Sequence, residues 1–160
     1  MPIRALSGNL TREQELLETL LFKLEVEQLL LSNGRVERLH LATREIEHVL
    51  RRIQEAELGR TIEVDEVAAA LGLAPSASLR EIAEAAPAPW DAILTEQRVA
   101  LIRLTTDIQD VTRSNRDLLT SSRRATQETL MSLRDDVRTY DHDGAMVAGA
   151  ADAQLLDKNF

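Results

Sequence analysis

The residues that could carry acid-base or metal chemistry in this chain are few and scattered. Its 160 residues include three histidines, His40, His48 and His142. A catalytic histidine works beside a nucleophile and an orienting acid, and none of the three stands in such a set. His40 and His48 lie eight residues apart on a predicted helix. We interpret each as an ordinary surface or boundary residue rather than a ligand. We therefore predict that the protein is not an enzyme.

One short motif, Asp141-His142-Asp143, has the residue types of a metal site. A structural zinc ion needs four ligands on a rigid frame, whereas this segment offers three in a predicted turn. The chain has no cysteine, which excludes disulfides, thiol catalysis and thiolate metal sites. It also lacks the glycine-rich loop with Lys-Ser or Lys-Thr that binds phosphates. The sequence predicts no metal and no other cofactor.

Composition and charge favour a helical protein outside the membrane. Apolar residues make up 44% of the chain, with one Trp, one Tyr and two Phe, which suits helical seams better than a sandwich or barrel. The net charge of -8 argues against a nucleic-acid partner, because phosphate binding needs clustered Lys and Arg. No segment approaches the roughly 20 apolar residues that span a bilayer, and the N-terminus lacks a signal-peptide pattern. We expect a cytoplasmic protein with no membrane insertion.

Apolar residues at three- and four-residue steps predict two helices in the first third of the chain. The first is expected to begin at Asn9 or Thr11 and to end at Ser32-Asn33-Gly34, either as a full reversal or as a kink. The second carries an uninterrupted coiled-coil seam and is expected to end at Gly59. The first stripe contains Leu17, Leu20, Leu21, Leu24 and Leu31, and the second Leu39, Ala42, Ile46, Val49, Ile53 and Ala56.

A connector with short helices follows over about residues 60–88, where glycine and proline interrupt short apolar bursts. One short helix is expected from about Asp65 to Leu71. Another is expected after Ser78, because Ser78 and Glu81 have the spacing of a capping box.

The longest predicted helix begins at Pro89 or Trp90 and runs to about Val137. Its seam is apolar at first and then turns small and polar, so the first half is expected to pack more tightly than the second. The seam positions are Leu94, Leu101, Leu104, Ile108, Val111, Asn115, Leu118, Ser122, Ala125 and Thr129.

A second row of leucines, Leu119, Leu130 and Leu133, lies beside the weaker half of this seam. If they are exposed, these leucines form a strip that receives a partner helix. Alternatively, they dock on the first helix of the same chain. The candidate partner-binding residues are Val111, Asn115, Leu118, Leu119, Ser122, Leu130 and Leu133.

These patterns together predict an all-α fold. We expect an elongated up-and-down antiparallel bundle, or coiled coil, of three long helices with short connector helices. Residues 1–137 would form a single domain, and residues 138–160, which have little apolar content, a flexible tail.

Several local motifs resemble the FlgN-type flagellar export chaperones. The first is Glu27-Gln28-Leu29 leading to Gly34, followed by Leu39 and the run from Thr43 to Leu50, which looks like the helix-turn-helix opening of that family. The more specific match is Asn115-Arg116-Asp117-Leu118-Leu119, then Gln127, Leu130 and Leu133, and finally Tyr140 with Gly144. The segment from Pro87 to Trp90 is similar to the actinobacterial branch. The resemblance covers roughly residues 10–144, and residues 145–160 have no counterpart in it.

The resemblance implies a chaperone that binds the helical C-terminal segment of flagellar hook-associated proteins and delivers them to the export apparatus. It also implies that Tyr140 takes part in docking at the export gate; without the resemblance, Tyr140 is an aromatic residue packing on the last helical turn. The competing interpretation is a structural coiled-coil protein or general adaptor, whose leucine strip pairs with a second copy when no client is bound.

Overall fold

The computed structural model describes the backbone of residues 1–142 and the side chains of residues 1–135, and helices account for most of these described residues. The elements are α1 (Pro2–Ser32), a 3-10 turn (Val36–Arg38), α2 (Leu39–Ala70), α3 (Leu79–Ala85) and α4 (Trp90–His142). No strand occurs within these residues. The prediction of an all-α fold with three long helices and short helical elements between them is confirmed.

The chain forms two compact units, Met1–Leu119 and Thr120–Phe160, here called unit 1 and unit 2. Unit 1 contains α1, α2, α3 and the first part of α4. Unit 2 contains the rest of α4. The predicted end of the longest helix at about Val137 is wrong, because α4 continues to His142. The domain boundary at residue 137 and the flexible tail at residues 138–160, whose side chains lie outside the described ones, stay predictions.

In unit 1, α1 and α2 form an antiparallel hairpin. Lys23 Nζ lies 2.7 Å from a carboxylate oxygen of Glu45, and Arg60 Nη1 lies 3.0 Å from Glu13 Oε1. As residue numbers rise along α1 in these two pairs, they fall along α2. The open alternative at Gly34 is therefore resolved in favour of a full reversal.

The backbone at this reversal explains why the first helix ends where the sequence predicts. The amide of Arg35 donates to the Leu30 carbonyl at 2.8 Å, which closes the last turn of α1. Gly34 has a φ of +66°, a left-handed conformation that side chains with a Cβ rarely adopt.

The first part of α4 runs parallel to α1 and antiparallel to α2. Gln97 Nε2 donates to the Ser7 carbonyl at 2.9 Å, and Asn115 Nδ2 donates to the Leu24 carbonyl at 2.9 Å. The three long helices of unit 1 therefore alternate in direction, with α3 in the connector between α2 and α4.

Two clusters of buried apolar side chains stabilise unit 1. The first joins α1, the end of α2, α3 and the start of α4, and it holds the fully buried Leu6, Leu10, Val67, Ile82 and Leu94. The second joins α1 to the predicted seam of α2 and contains Leu16, Leu20, Leu24, Ile46, Val49, Ile53 and Ala56. The heptad pattern of the sequence thus correctly predicted which residues of α2 are buried between Ala42 and Ala56.

The predicted start of α1 at Asn9 or Thr11 is wrong, because the helix begins at Pro2. Proline is well tolerated there, since the first helical amide has no partner within the helix. Ile3 and Leu6 are buried and give the extra turns a packing face. Asn9 does not cap a helix; its Nδ2 donates to the Ala56 carbonyl of α2 at 3.2 Å.

The predicted end of the second helix at Gly59, and the separate helix predicted from Asp65 to Leu71, are also wrong. A single α2 runs through both to Ala70. A Cβ on Gly59 would lie 3.2 Å from Asn9 Nδ2, so the glycine allows close approach to α1 rather than ending the helix. Val67 and Ala68 then pack into the first cluster.

The capping box predicted at the second connector helix is confirmed. The Ser78 hydroxyl accepts a hydrogen bond from the Glu81 amide at 3.2 Å, and the Ser78 amide donates to Glu81 Oε2 at 2.7 Å. This reciprocal pair fixes the start of α3 at Leu79.

Among the helices that the structure describes, none has an apolar run long enough to cross a membrane.

Glu13 is a buried carboxylate at the centre of the α1-α2 contact, with 3% of its surface exposed. One oxygen pairs with Arg60, whereas Oε2 has no hydrogen-bond partner among the described residues. Burial raises the pKa of Glu13, Arg60 lowers it and the nearby Glu57 raises it again, so the net shift is upward.

We predict that Glu13→Gln stabilises the protein more at neutral pH than at acidic pH. Because the folded-state pKa of Glu13 lies above the unfolded one, the free energy of unfolding falls as the pH rises from the unfolded pKa through the folded one. Urea unfolding monitored by circular dichroism from acidic to neutral pH measures the difference between the variant and the wild type. Glu47→Gln changes an exposed glutamate of α2 as the control. A difference independent of pH would contradict the prediction.

Candidate protein-binding surface on α4

The candidate binding residues on α4 fall into two groups, one in each unit. In unit 1, Asn115 is buried, and Val111, Leu118 and Leu119 are half-buried. In unit 2, Ser122 is half-buried, whereas Leu130 and Leu133 are exposed. Tyr140 lies within the bounds of α4, but its side chain is outside those that the structure describes.

In unit 1, the contact between α1 and α4 contains a polar layer formed by Glu27, Gln28, Ser114 and Asn115. Asn115 is 4% exposed, and its Nδ2 donates to the Leu24 carbonyl at 2.9 Å and to Glu27 Oε1 at 3.0 Å. Beside it, Gln28 Nε2 donates to Ser114 Oγ at 2.9 Å. Asn115 Oδ1 has no hydrogen-bond partner within the described part of the chain.

This polar layer weakens the α1-α4 contact where it replaces apolar packing. Leu101 and Leu104 are buried earlier in α4, and Val111 still packs against the second cluster. A buried oxygen without a partner costs roughly 1–3 kcal/mol. The layer also fixes how α4 aligns with α1, because the two donors of Asn115 match acceptors at one position along α1 only.

In unit 2, three apolar side chains of α4 are exposed: Leu130 is 53% exposed, Met131 66% and Leu133 56%. Leu130 and Leu133 are three residues apart and lie on one side of the helix, and they form what we call the leucine face. Met131, which the sequence periodicity did not point to, is two residues from Leu133 and lies on another side of the helix.

Both leucines of the leucine face are more than half exposed. Their exposure leaves apolar surface available to another chain. That such a chain binds there stays a prediction.

Hydroxyl groups near the leucine face are bonded within their own helix. Thr126 Oγ1 donates to the Ser122 carbonyl at 3.0 Å, and Thr129 Oγ1 donates to the Ala125 carbonyl at 2.9 Å. These donors are already used, so a partner would gain little hydrogen bonding from them.

Side chains that bind metal ions do not come together in the described part of the chain. No group of three His, Cys, Asp or Glu side chains there could hold a metal ion. His40 and His48 are exposed on α2. The side chains of Asp141-His142-Asp143 lie outside the described residues.

Comparison with protein-family models gives one decisive match, to the model described as FlgN protein, over residues 1–148. The chain belongs to the FlgN family. Neither curated proteins nor solved structures gave a match. FlgN proteins are flagellar export chaperones, a family of binding proteins rather than enzymes.

The FlgN match confirms the resemblance that the local motifs carried and widens it. It includes the first nine residues, where α1 begins earlier than the capping signals indicate. It also reaches residue 148, four residues into the segment for which the motifs gave no counterpart. The polar layer and the leucine face both lie inside the matched range. The likeness to one branch of the family stays a prediction.

We predict that Asn115→Leu raises the free energy of unfolding by roughly 1–2 kcal/mol, because leucine buries apolar area and removes the unpaired Oδ1. Urea unfolding monitored by circular dichroism measures the change. Asn115→Ala is the control and should destabilise the protein, since it removes the hydrogen bonds without filling the space. A leucine variant no more stable than the alanine variant would show that the hydrogen bonds of Asn115 outweigh the cost of its burial.

Proposed function

We propose that this FlgN-family chain is a cytosolic chaperone that binds the helical C-terminal segment of flagellar hook-associated proteins through the leucine face. Covering that segment keeps the client from assembling before export, and delivery to the export gate follows. The observation that carries the proposal is the exposure of Leu130 and Leu133 on one side of α4 in a member of a chaperone family.

The leucine face suits an amphipathic helix better than a small molecule. Its side chains stand on a single helix, and the neighbouring hydroxyls of Thr126 and Thr129 already bond within that helix. An amphipathic helix presents apolar residues at three- and four-residue steps, the same spacing as Leu130 and Leu133. Burying one leucine fully contributes roughly 1.5–3 kcal/mol, so two leucines give a useful share of the affinity.

The other residues predicted for client binding take different parts in this proposal. Val111 and Asn115 already pack within unit 1, so a client could reach them only by displacing α1. We assign them to stabilising unit 1. Leu118 and Leu119 are half-buried there, and Ser122 is half-buried in unit 2, so each offers a client less new contact than the leucine face.

We predict that Leu130→Asp weakens client binding by about tenfold to a hundredfold, because the complex would lose apolar burial and place a carboxylate in the contact. Isothermal titration with the C-terminal segment of a hook-associated protein measures the affinity. Helix content by circular dichroism should hardly change, since Leu130 is exposed in the free protein.

Leu58→Asp is the matched control, because Leu58 is 67% exposed on α2 and lies outside the leucine face. It should bind the client as the wild type does. Unchanged affinity in Leu130→Asp would contradict the proposed surface.

The same variants also address the alternative that a second copy covers the leucine face. If the wild type sediments as a dimer even with client present and Leu130→Asp as a monomer, self-association accounts for the leucines.

For delivery, we propose that Tyr140 contacts the export gate, which follows from the family resemblance. We predict that Tyr140→Ala leaves the chaperone-client complex intact and weakens association with the cytoplasmic domain of the gate. Pull-down of that domain by the preformed complex measures the second step. Tyr140→Phe separates the ring from the hydroxyl as a control. If both associations survive in Tyr140→Ala, the residue has no part in delivery.

A further inference from the structure

A second surface feature lies within unit 1, where α2, α3 and α4 meet around a shallow cleft. Arg60 of α2, Leu79 of α3, and Arg98, Leu101 and Ile102 of α4 line it together with two threonines. Leu101 is buried at 8% exposure, whereas Ile102 is 50% exposed. The cleft therefore offers an apolar floor and an apolar rim.

The charges in this cleft are opposite in sign to the charge of the whole protein. Two of the lining residues are arginines and none is acidic, although the chain carries a net charge of -8. Such a local reversal makes the cleft attractive to a negative group.

The two arginines retain donors for such a group. Arg60 Nη1 is 3.0 Å from Glu13, but its side chain is 33% exposed and a guanidinium has five N–H donors. Arg98 forms no ion pair with any residue that the structure describes. By contrast, the hydroxyls of Thr105 and Thr106 donate to carbonyls of their own helix at 2.8 and 3.0 Å. The guanidinium groups are thus the donors that a bound group would use.

We propose that this cleft binds an acidic amphipathic segment of a partner protein, with an apolar side chain over Leu101 and Ile102 and a neighbouring carboxylate on Arg98 and Arg60. From Arg98 to Thr106 the cleft extends over about two helical turns, or roughly 12 Å. That length fits two turns of a partner helix. This site uses no residue of the leucine face and is separate from the proposed client contact.

The test uses the full-length protein labelled with nitrogen-15 and two synthetic peptides. The first is an acetylated and amidated alanine-based helix carrying two leucines and two glutamates at four-residue spacing. The second replaces the glutamates with lysines. The acidic peptide should cause saturable shifts in the amides of residues 98–106 and bind about tenfold more tightly than the basic one.

Arg98→Glu should weaken binding of the acidic peptide by about tenfold, because it reverses the charge at the cleft. Arg103→Glu is the matched control, an exposed arginine of the same helix outside the lining, and should bind as the wild type does. The proposal is overturned if the acidic peptide causes no saturable shift up to its solubility limit, or if both peptides bind equally. It is also overturned if diluting the protein alone reproduces the shifts, since a second copy would then occupy the cleft.

Discussion

A buried polar layer at Asn115 interrupts the contact between α1 and α4, and the buried leucines of α4 all lie before it. Leu94, Leu101 and Leu104 of α4 are buried, and each removes apolar area from water. At Asn115 the contact turns to hydrogen bonds with Leu24 and Glu27, whose net contribution is smaller than that of apolar burial. The helix continues to His142, so much of α4 lies beyond its last buried leucine, Leu104.

The buried carboxylate of Glu13, paired with Arg60, is a second polar feature that lowers the stability of unit 1. Burial of Glu13 raises its pKa, and Arg60 offsets only part of that effect. Arg60 in turn reaches the cleft beside Arg98, so one guanidinium serves both an internal ion pair and the surface. Buried ion pairs seldom stabilise a fold more than apolar residues of the same volume. The pair nevertheless fixes which part of α2 faces α1.

Periodicity predicted the long helices well, whereas the helix-breaking signal of glycine was right at Gly34 and wrong at Gly59. Gly34 follows the end of α1 with a positive φ and has open space where a Cβ would lie, whereas Gly59 lies inside α2 against Asn9. The sequence shows a glycine in both cases, and only tertiary packing separates a turn from a close helix approach. The start of α1 was missed for the same reason, since Asn9 has a capping side chain that α2 uses instead.

The sequence spacing places Leu130 and Leu133 on one side of a helix, so it predicted that a leucine face could exist. It could not predict whether that side is exposed, because spacing does not show what covers it. The cleft at Arg60 and Arg98 gave no sequence signal, since its residues come from three helices. The structure adds that every described side chain of residues 120–135 is exposed except Ser122, which is half-buried. Most of the stability of a helix in a protein comes from packing of its amphipathic face. A partner helix on Leu130 and Leu133 would add such packing to a stretch of α4 whose side chains are exposed.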